Sequence, residues 1–487
     1  MGLSNRVNSN ESKDFFNFLL VPILPLSQSQ STPKDPFKVD LKALCAVLLA
    51  VSLGALDTAI ANTALPTIGA DLGAPAAESI WIINAYQLSI VASLLPLAAL
   101  GDLWGPRRVF LGGLAVFTVF SLACALSNSL GVLALCRCAQ GLGAAGIMSV
   151  NLALIKLLFP AERLGRGVGL NALVVGISFT LGPTMASLLL LVGPWQWLFA
   201  INVPLGLMAF CFALPALPAR TKGTGQNHKF DPWTAVLTAL TFGCFIYVLS
   251  AASQRVGLLA LLPIAAVSFI AFWGLLLRQN GHPAPMLPVD LLSRPMFALS
   301  ALTSVASFVA QGLAFVALPF YFENTLHRDP VETGFLITAW PLVVAIAAPI
   351  AGRLSDRYPA GILGGVGLSL MSVGFITLVF LPSEPSVFDI VWRLMLCGIG
   401  FGGFQSPNLK AILSSAPANR SGGASGVVAM GRLIGQTIGA ALVALCLGLA
   451  GAGLSGPVWA MGLGAIFSGL AACASFARLY VKKTELI

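Results

Sequence analysis

Long apolar runs separated by short polar segments fill the chain from residue 42 onward. A transmembrane helix needs about 20 predominantly apolar residues. Runs of that kind begin near residues 42, 79, 107, 130, 166, 195, 232, 256, 296, 332, 361, 387, 422 and 455. The pattern therefore predicts an all-α integral membrane protein with about fourteen transmembrane helices, numbered here as spans 1 to 14.

The segment before span 1 is polar and is not expected to cross the membrane. Its apolar stretch, residues 15–26, contains Pro22 and Pro25 and is too short to span a bilayer. It follows acidic and polar residues rather than a basic region, which argues against a cleaved signal peptide.

Composition supports a membrane solvent. Hydrophobic residues make up 57% of the chain and charged residues 9%, with a mean hydropathy of +0.89, whereas soluble domains carry about 25% charged residues. The net charge of +9 comes from basic residues scattered singly between apolar runs, so we expect no nucleic-acid partner.

The cysteines and histidines of the chain do not form the patterns that are typical of catalytic or metal-binding sites. The nine cysteines include no C-x-x-C pair, and nearly all of them lie within apolar runs. We interpret them as packing residues. Disulfide bonds or a metal site are the less favoured alternative. His228, His282 and His327 all fall in predicted loops. No catalytic triad or metal set is visible, so we expect neither an enzyme nor a bound cofactor.

Charge position predicts the orientation. Most of the 27 Lys and Arg residues fall in the termini and in the loops on the same side as the termini. Arg255 and Arg328 fall in opposite loops, and Arg137, Arg393 and Arg432 lie within spans. By the positive-inside rule, both termini should be cytoplasmic.

Two regions of the chain repeat the same features. GDLWGPRR at 101–108 follows span 2 and GRLSDRY at 352–358 follows span 10, each placing an aspartate and arginines at a helix end. Span 4 and span 12 each carry an arginine followed by two glycines. The repetition predicts a cytoplasmic tail (1–40), an N-terminal six-helix bundle (41–216), a linker with two extra transmembrane helices (217–294), a C-terminal six-helix bundle (295–480) and a cytoplasmic tail (481–487).

Asp57 in span 1 and Arg137 in span 4 are the ionisable pair of greatest interest. Charges inside a membrane are costly and usually functional, and the two residues should lie at similar depth. Burial favours a protonated carboxyl group and a nearby arginine favours the ionised form, so a movable pair would respond to protons. The alternative is a static ion pair that only orients helices.

Span 5 contains GISFTLGPTMAS at 176–187, in which small residues share one helix face and Pro183 removes a backbone donor. Such a face permits close packing and a bend. Patterns of this kind are common in membrane bundles.

Several strings together resemble one family. They are LDTAIANTALP at 56–66, WIINAY at 81–86, the loop at 102–108, RCAQGLG at 137–143, Gly182-Pro183 and WQWLFAINVP at 195–204. The chain resembles the major facilitator superfamily, specifically its fourteen-helix drug:proton antiporter branch, from about residue 40 to 480.

The resemblance implies two bundles that rock about a central cavity and export substrate against inward proton flow. It assigns proton coupling to Asp57 and Arg137 and an antiporter motif to Gly176, Gly182 and Pro183. It also implies a cytoplasmic gate, for which the candidates are Asp102, Gly105, Arg107, Arg108, Gly352, Arg353, Asp356 and Arg357. For Arg107 and Arg108, the alternative is a role in membrane topology alone, which they serve in any case.

The chain departs from the branch pattern in places. Leu103 and Gln196 stand where the branch has arginines, and Ala186 and Ser187 replace two glycines. We expect a weaker gate and looser packing. Glu323 stands where glutamine is usual, and would either attract cationic substrate or be a solvated loop carboxylate.

Polar or aromatic groups within spans are the candidates for the substrate cavity, with interhelical hydrogen bonding as the alternative for most of them. They are Asn62, Tyr86, Gln87, Gln311, Glu323, Trp340, Gln405, Asn408 and Arg432.

The favoured function is proton-coupled export of lipophilic, often cationic, toxic compounds. Export of one defined metabolite, or a membrane sensor or lipid-handling protein without proton coupling, are the alternatives. The expected partners are a small-molecule substrate, protons and the bilayer, with the protein acting as a monomer. The resemblance implies that the protein lies in the bacterial inner membrane.

Spans 7 and 8 have few polar groups, which suggests that they are peripheral and face lipid.

Overall fold

Helices form the fold throughout the part of the chain that the computed structural model describes. The described residues are 40–160, 163–218, 231–252, 258–279, 289–415, 421–450 and 455–484, and they contain no β-strand. The predicted tail over residues 1–40 lies outside them except for Asp40, as do residues 485–487.

Long helices occupy all of the predicted spans. They are α1 (Leu41–Thr63), α2 (Trp81–Trp104), α3 (Pro106–Ala125), α4 (Leu130–Leu158), α5 (Leu164–Val192), α6 (Asn202–Ala216), α7 (Pro232–Ala252), α8 (Leu258–Gln279), α9 (Pro295–Phe320), α10 (Pro330–Leu354), α11 (Ala360–Val379), α12 (Val387–Ser415), α13 (Ser421–Ala450) and α14 (Ser455–Thr484). Short helices lie between them at Leu65–Asp71, Ala76–Ser79, Trp197–Ala200 and Val289–Leu292, and a π-helical turn, Tyr321–Thr325, continues α9.

The all-α membrane architecture is confirmed. Within the described residues, 13 helical segments are long and apolar enough to cross a bilayer. The helix at the place of span 7, α7, has 21 residues, and the part of it that the structure describes includes the apolar segment Val236–Phe245.

Local sequence chemistry sets the helix ends. The side chain of Asp40 caps α1 by accepting hydrogen bonds from the backbone N–H groups of Lys42 and Ala43, at 3.0 and 3.2 Å. Gly105 separates α2 from α3 with φ 89°, a conformation that side chains with a Cβ rarely adopt. Pro106 then starts α3, where its missing N–H costs nothing.

Glycines bring helices into backbone contact at matching places in the two regions of the chain. In the first, α3 packs against α4, and a Cβ at Gly113 would lie 2.8 Å from the carbonyl oxygen of Gly143. In the second, α11 packs against α12, and a Cβ at Gly400 would lie 2.6 Å from the carbonyl oxygen of Gly367. Contacts this close leave no room for a side chain.

The remaining contacts follow the same repeat. In the first region α2 packs against α4, and α1 against α5 and α6; in the second, α10 packs against α12, and α9 against α13 and α14. The region of α1 to α6 is called the N-terminal half below, and that of α9 to α14 the C-terminal half. This packing does not test the predicted domain bounds, which stay a prediction.

The two halves meet along α5 and α10, where a Cβ at Gly334 would lie 2.6 Å from the carbonyl oxygen of Pro183. An apolar core runs across the boundary, since Ile60 of α1 and Leu313 of α9 belong to one buried cluster. We call the side of the bundle at which α1 begins the first face, and the side at which α1 ends the second face.

Helices α7 and α8 differ from each other in their surroundings. Helix α7 packs against α2 and α13, and so contacts both halves, whereas α8 packs on α7 and exposes large apolar side chains such as Leu259 and Ile270. Arg278 at the end of α8 donates hydrogen bonds to Asp231 before α7, at 2.6 and 3.0 Å. These bonds hold the pKa of the Asp231 carboxyl below its usual range. The expected peripheral, lipid-facing position therefore describes α8 better than α7.

The close glycine contact between α3 and α4 should contribute to the stability of the folded protein. Gly143→Ala should destabilise the protein by about 1–3 kcal/mol, although alanine favours helix more than glycine, because the new methyl group meets the backbone of Phe117 and Gly113. Thermal unfolding of the purified protein in detergent measures the change.

Gly112→Ala, on the same helix α3, is the matched control, because a Cβ there meets nothing within 4 Å. Equal unfolding temperatures for the two variants would show that the two helices are not in backbone contact.

Candidate functional site

Asp57 and Arg137 meet inside the N-terminal half. Arg137 Nη1 donates to Asp57 Oδ2 at 2.5 Å, and each side chain is only 1% exposed. Helix α1 supplies the carboxylate and α4 the guanidinium, as their positions along the spans suggest. A buried charge pair of this kind is stable only when its remaining hydrogen-bonding atoms also find partners.

Neutral side chains complete the surroundings of the Asp57 carboxylate. Gln140 Nε2 and Asn202 Nδ2 both donate to Oδ1, at 3.0 and 2.8 Å. Gln140 also donates to Ser121 Oγ at 2.8 Å, and its own oxygen accepts from Arg137 Nη1 at 2.6 Å. The carboxylate therefore accepts three side-chain hydrogen bonds from two other helices, α4 and α6.

Arg137 is held on its other sides by backbone and aromatic groups. Its Nε donates to the carbonyl oxygen of Ile82 at 3.1 Å. Its guanidinium carbon lies 4.1 Å from the centre of the Tyr86 ring and 5.4 Å from that of Phe199. Both are distances at which a cation is attracted to an aromatic face. We call Asp57, Arg137, Gln140, Asn202 and Ser121 the charge cluster.

Three members of the charge cluster were not among the expected site residues. Gln140 stands within the RCAQGLG string but was given no role of its own. Asn202 stands within the WQWLFAINVP string but was given no role, and Ser121 lies in the apolar run of span 3. A lone amide inside an apolar run is the signal that points to Asn202, because a buried amide needs a partner.

A small internal cavity lies beside the charge cluster. It has a volume of about 50 Å³ and is lined by residues of both halves, which are Val51, Gly54, Ala55, Thr58, Tyr86, Gln87, Ile90, Met148, Val175, Phe179, Arg432, Leu433 and Gln436. A second space of about 10 Å³ shares part of this lining and adds Asn62, Gln311, Gly312, Phe315 and Val316. We call the two together the central cavity.

The central cavity brings together five of the expected cavity residues, namely Asn62, Tyr86, Gln87, Gln311 and Arg432. Gln436 lines both spaces and was not expected. Its Nε2 donates to Gln311 Oε1 at 3.1 Å, which joins α13 to α9. Tyr86 belongs to both sites, because its ring lies on Arg137 and also lines the cavity.

The other expected cavity residues lie outside the lining of the central cavity. Trp340 is buried between the rings of Phe315 and Phe375, with centres 5.7 Å away in each case. Gln405 is partly buried on α12. Asn408 donates to the carbonyl oxygen of Ser300 at 3.2 Å, and Glu323 lies at the end of α9.

Arg478 is a buried charge of the C-terminal half that the sequence pattern did not single out. It is 2% exposed, and it donates to Asn408 Oδ1 at 2.8 Å, to Ser300 Oγ at 3.1 Å and to Ser475 Oγ at 2.5 Å. These bonds join α9, α12 and α14 through neutral partners.

Two of the expected gate residues bond within their own halves. Arg107 Nη2 donates to the carbonyl oxygen of Leu214 at 2.6 Å, which ties α3 to the end of α6. Asp356 accepts from Lys410 Nζ at 2.5 Å, which ties α10 to α12. The remaining charged candidates, Asp102, Arg108, Arg353 and Arg357, are exposed.

The antiporter-motif residues lie on α5. Gly182 packs directly on Ala59 of α1, the carbonyl oxygen of Pro183 faces Gly334, and Gly176 has open space around it. Ser187, at a position where the family pattern has glycine, donates to the Pro183 carbonyl at 3.1 Å.

Hydrogen bonds join the two halves near the second face. Thr67 Oγ1 donates to Glu323 Oε2 at 3.1 Å, and the hydroxyls of Thr184 and Thr338 lie 2.9 Å apart. Thr180 donates to the Pro341 carbonyl at 3.3 Å. These contacts close the second face between the halves.

The ion pair of the charge cluster should contribute to the stability of the folded protein. Arg137→Met should lower the free energy of unfolding by about 3–5 kcal/mol, because it leaves the Asp57 carboxylate buried without its counter-charge. The double variant Asp57→Asn/Arg137→Met should recover part of that loss. Denaturation of the purified proteins in detergent measures both, and losses that simply add would contradict an energetic coupling between the two residues.

Comparison with known proteins agrees with this architecture. A sequence profile described as "Major Facilitator Superfamily" matches residues 47–278 and 300–486. The uncharacterized transporter YebQ of Escherichia coli (strain K12) is 48% identical over 90% of this chain and 95% of that protein. The riboflavin transporter RibZ of Clostridioides difficile (strain 630) is 30% identical over 82% of this chain and 86% of that protein.

The multidrug resistance protein Stp of Mycobacterium tuberculosis (strain CDC 1551 / Oshkosh) is also 30% identical, over 83% of this chain and 75% of that protein. The profile covers most of the chain, and these relatives are transporters rather than enzymes. The chain is therefore a multi-pass membrane transporter that belongs to the Major Facilitator Superfamily.

Proposed function

We propose that the protein is a proton-coupled antiporter that exports small, largely apolar compounds from the cytoplasm by alternating access. It acts as a monomer in the cytoplasmic membrane, with the first face and both termini on the cytoplasmic side. The observation that carries the proposal is the buried ion pair of Asp57 and Arg137, which shares Tyr86 with the central cavity.

A proton gives this site two states. When Asp57 is ionised, it balances Arg137 and accepts three side-chain hydrogen bonds. A proton on Asp57 cancels the counter-charge, so Arg137 loses the interaction that holds it against α1. Because the Tyr86 ring lies on Arg137, any movement of the guanidinium changes the wall of the cavity.

Alternating access requires the second face to open. The bonds between Thr67 and Glu323 and between Thr184 and Thr338 cross between the halves there. Few polar contacts have to break, and hydroxyl groups can exchange them for water at little net cost. The described contacts correspond to a state closed toward the outside, in which substrate would enter from the first face.

The relatives leave two substrate ranges open. The name of Stp favours export of several drugs, and the name of RibZ favours one defined metabolite. The largely apolar lining of the central cavity supports the broader range, because apolar contacts discriminate weakly between compounds of similar size.

Transport in proteoliposomes tests proton coupling. With ethidium, riboflavin or the aromatic acid naphthoate as the probe and an imposed pH gradient, we expect the wild-type protein to concentrate at least one probe against its gradient and a protonophore to abolish this. Asp57→Asn should reduce uphill transport about tenfold or more, which lies within the usual range of coupling free energies, while downhill exchange persists.

Asp389→Asn is the matched control. Asp389 also forms an ion pair with an arginine, in this case one on the same helix, but its side chain is 38% exposed. It should transport as the wild type does. Full uphill transport by Asp57→Asn would rule out the assigned role and favour a protein without proton coupling at this site.

A cross-link tests the closed second face. In Thr184→Cys/Thr338→Cys the two sulfur atoms should come within bonding distance, because the native hydroxyls are 2.9 Å apart. Oxidation should block transport and a reductant should restore it.

Each single cysteine variant serves as the control, since the native cysteines are free. Transport at the full rate by the cross-linked protein would show that the halves do not separate here.

A further inference from the structure

Arg432 is a charged side chain of the central cavity that the proposed proton coupling does not use. It projects from α13 into the lining, beside Gln87 and Gln436. Within the described part of the chain it makes neither an ion pair nor a hydrogen bond. Other arginines of the helical bundle behave differently, since their guanidinium groups have partners: Arg137, Arg278, Arg328, Arg393 and Arg478.

Burying the Arg432 guanidinium without a partner costs free energy. A guanidinium keeps its charge at any physiological pH, and a charge inside a membrane protein needs a partner or water to offset its lost hydration. The five donors of a guanidinium match the two oxygens of a carboxylate or similar anion. A ligand with such a group would supply the missing counter-charge.

The lining offers no acidic side chain that would compete for Arg432. The residues that line the two spaces of the central cavity include no aspartate or glutamate. Asp57, on the same helix as the lining residue Thr58, is taken up by Arg137, Gln140 and Asn202. A cationic substrate would therefore find one positive group in the cavity and no negative one.

Two further groups define what else the ligand should carry. Asn62 Oδ1 and Gln87 Oε1 are buried oxygens without a hydrogen-bond partner in the described residues. Each is an acceptor that a ligand N–H or O–H group would satisfy. The rings of Tyr86, Phe179 and Phe315 supply apolar walls near these atoms.

We propose that the central cavity recognises aromatic or otherwise apolar compounds through an acidic group that pairs with Arg432. The proposal rests on the transport function above and names the substrate class of the same site. It replaces the expected preference for cations by a preference for anions. Export of an anion in exchange for a proton moves net charge, so the membrane potential of a cell, negative inside, would also drive it.

Three probes of one size test the charge preference. Naphthoate is anionic at neutral pH, naphthylmethanol is uncharged and naphthylmethylamine is cationic. Isothermal titration of the purified full-length protein in detergent should show that the wild type binds naphthoate most tightly. Arg432→Gln should weaken naphthoate binding about tenfold or more, the cost of losing hydrogen bonds to a charged group. It should leave naphthylmethanol binding unchanged.

Two more variants separate recognition from folding. Arg432→Lys keeps the charge without the fork of donors, and should bind naphthoate with intermediate affinity. Arg393→Gln removes an arginine that pairs with Asp389 and does not line the cavity, and should bind all three probes as the wild type does. The unfolding temperature of each variant confirms that the folded protein is compared.

The possible results are distinct. Failure of the wild type to bind naphthoate, equal binding of the three probes, or an equal loss of naphthoate and naphthylmethanol binding in Arg432→Gln would overturn the proposal. The titration involves no proton gradient. Arg432-dependent naphthoate binding without proton-driven transport would therefore keep this proposal and reject the proposed function, and the reverse pair of results would do the opposite.

Discussion

The ion pair between Asp57 and Arg137 is the interaction around which the N-terminal half is arranged. Two opposite charges that are 1% exposed persist only if hydrogen bonds from neighbouring groups offset the hydration that the pair has lost. That requirement fixes the rotation of α1 and α4, and then of α2, α3 and α6, which supply Ile82, Ser121 and Asn202. The backbone approach of α3 to α4 at Gly113 and Gly143 allows Ser121 to reach Gln140.

The C-terminal half also buries an arginine, but it surrounds that arginine with neutral side chains. Its glycines bring α11 and α12 together as α3 and α4 are brought together, but its buried arginine, Arg478, bonds to Asn408, Ser300 and Ser475 rather than to a carboxylate. Arginine does not release its proton in proteins, and these partners do not titrate near neutral pH. In the proposed coupling a proton acts in the N-terminal half, while Arg478 joins the helices of the other half whatever the pH.

Sequence predicted the parts of this arrangement that depend on long patterns. Runs of about 20 apolar residues specify a membrane helix because the bilayer sets the length, so the order of the long helices followed from the pattern. Asp57 and Arg137 were recognisable because charge is rare inside such runs. Asn202, Ser121 and Gln436 were not, because neutral polar residues occur on all faces of membrane helices and their contacts depend on helix rotation. Gln405 and Asn408 show the converse, since polarity alone did not place them in the lining of the cavity.

The charge cluster and the central cavity are separated by one side chain and one turn of helix. Tyr86 contacts Arg137 on one side and lines the cavity on the other, while Asp57 and Thr58 are consecutive residues of α1 that serve the two sites. Coupling between a proton and a substrate requires an element whose two arrangements both ligands bias. Tyr86 and this turn of α1 meet the geometric part of that requirement without a long relay. In the two proposals the arginines differ: Arg137 has its counter-charge within the protein, whereas the counter-charge of Arg432 is the one that we propose the ligand supplies.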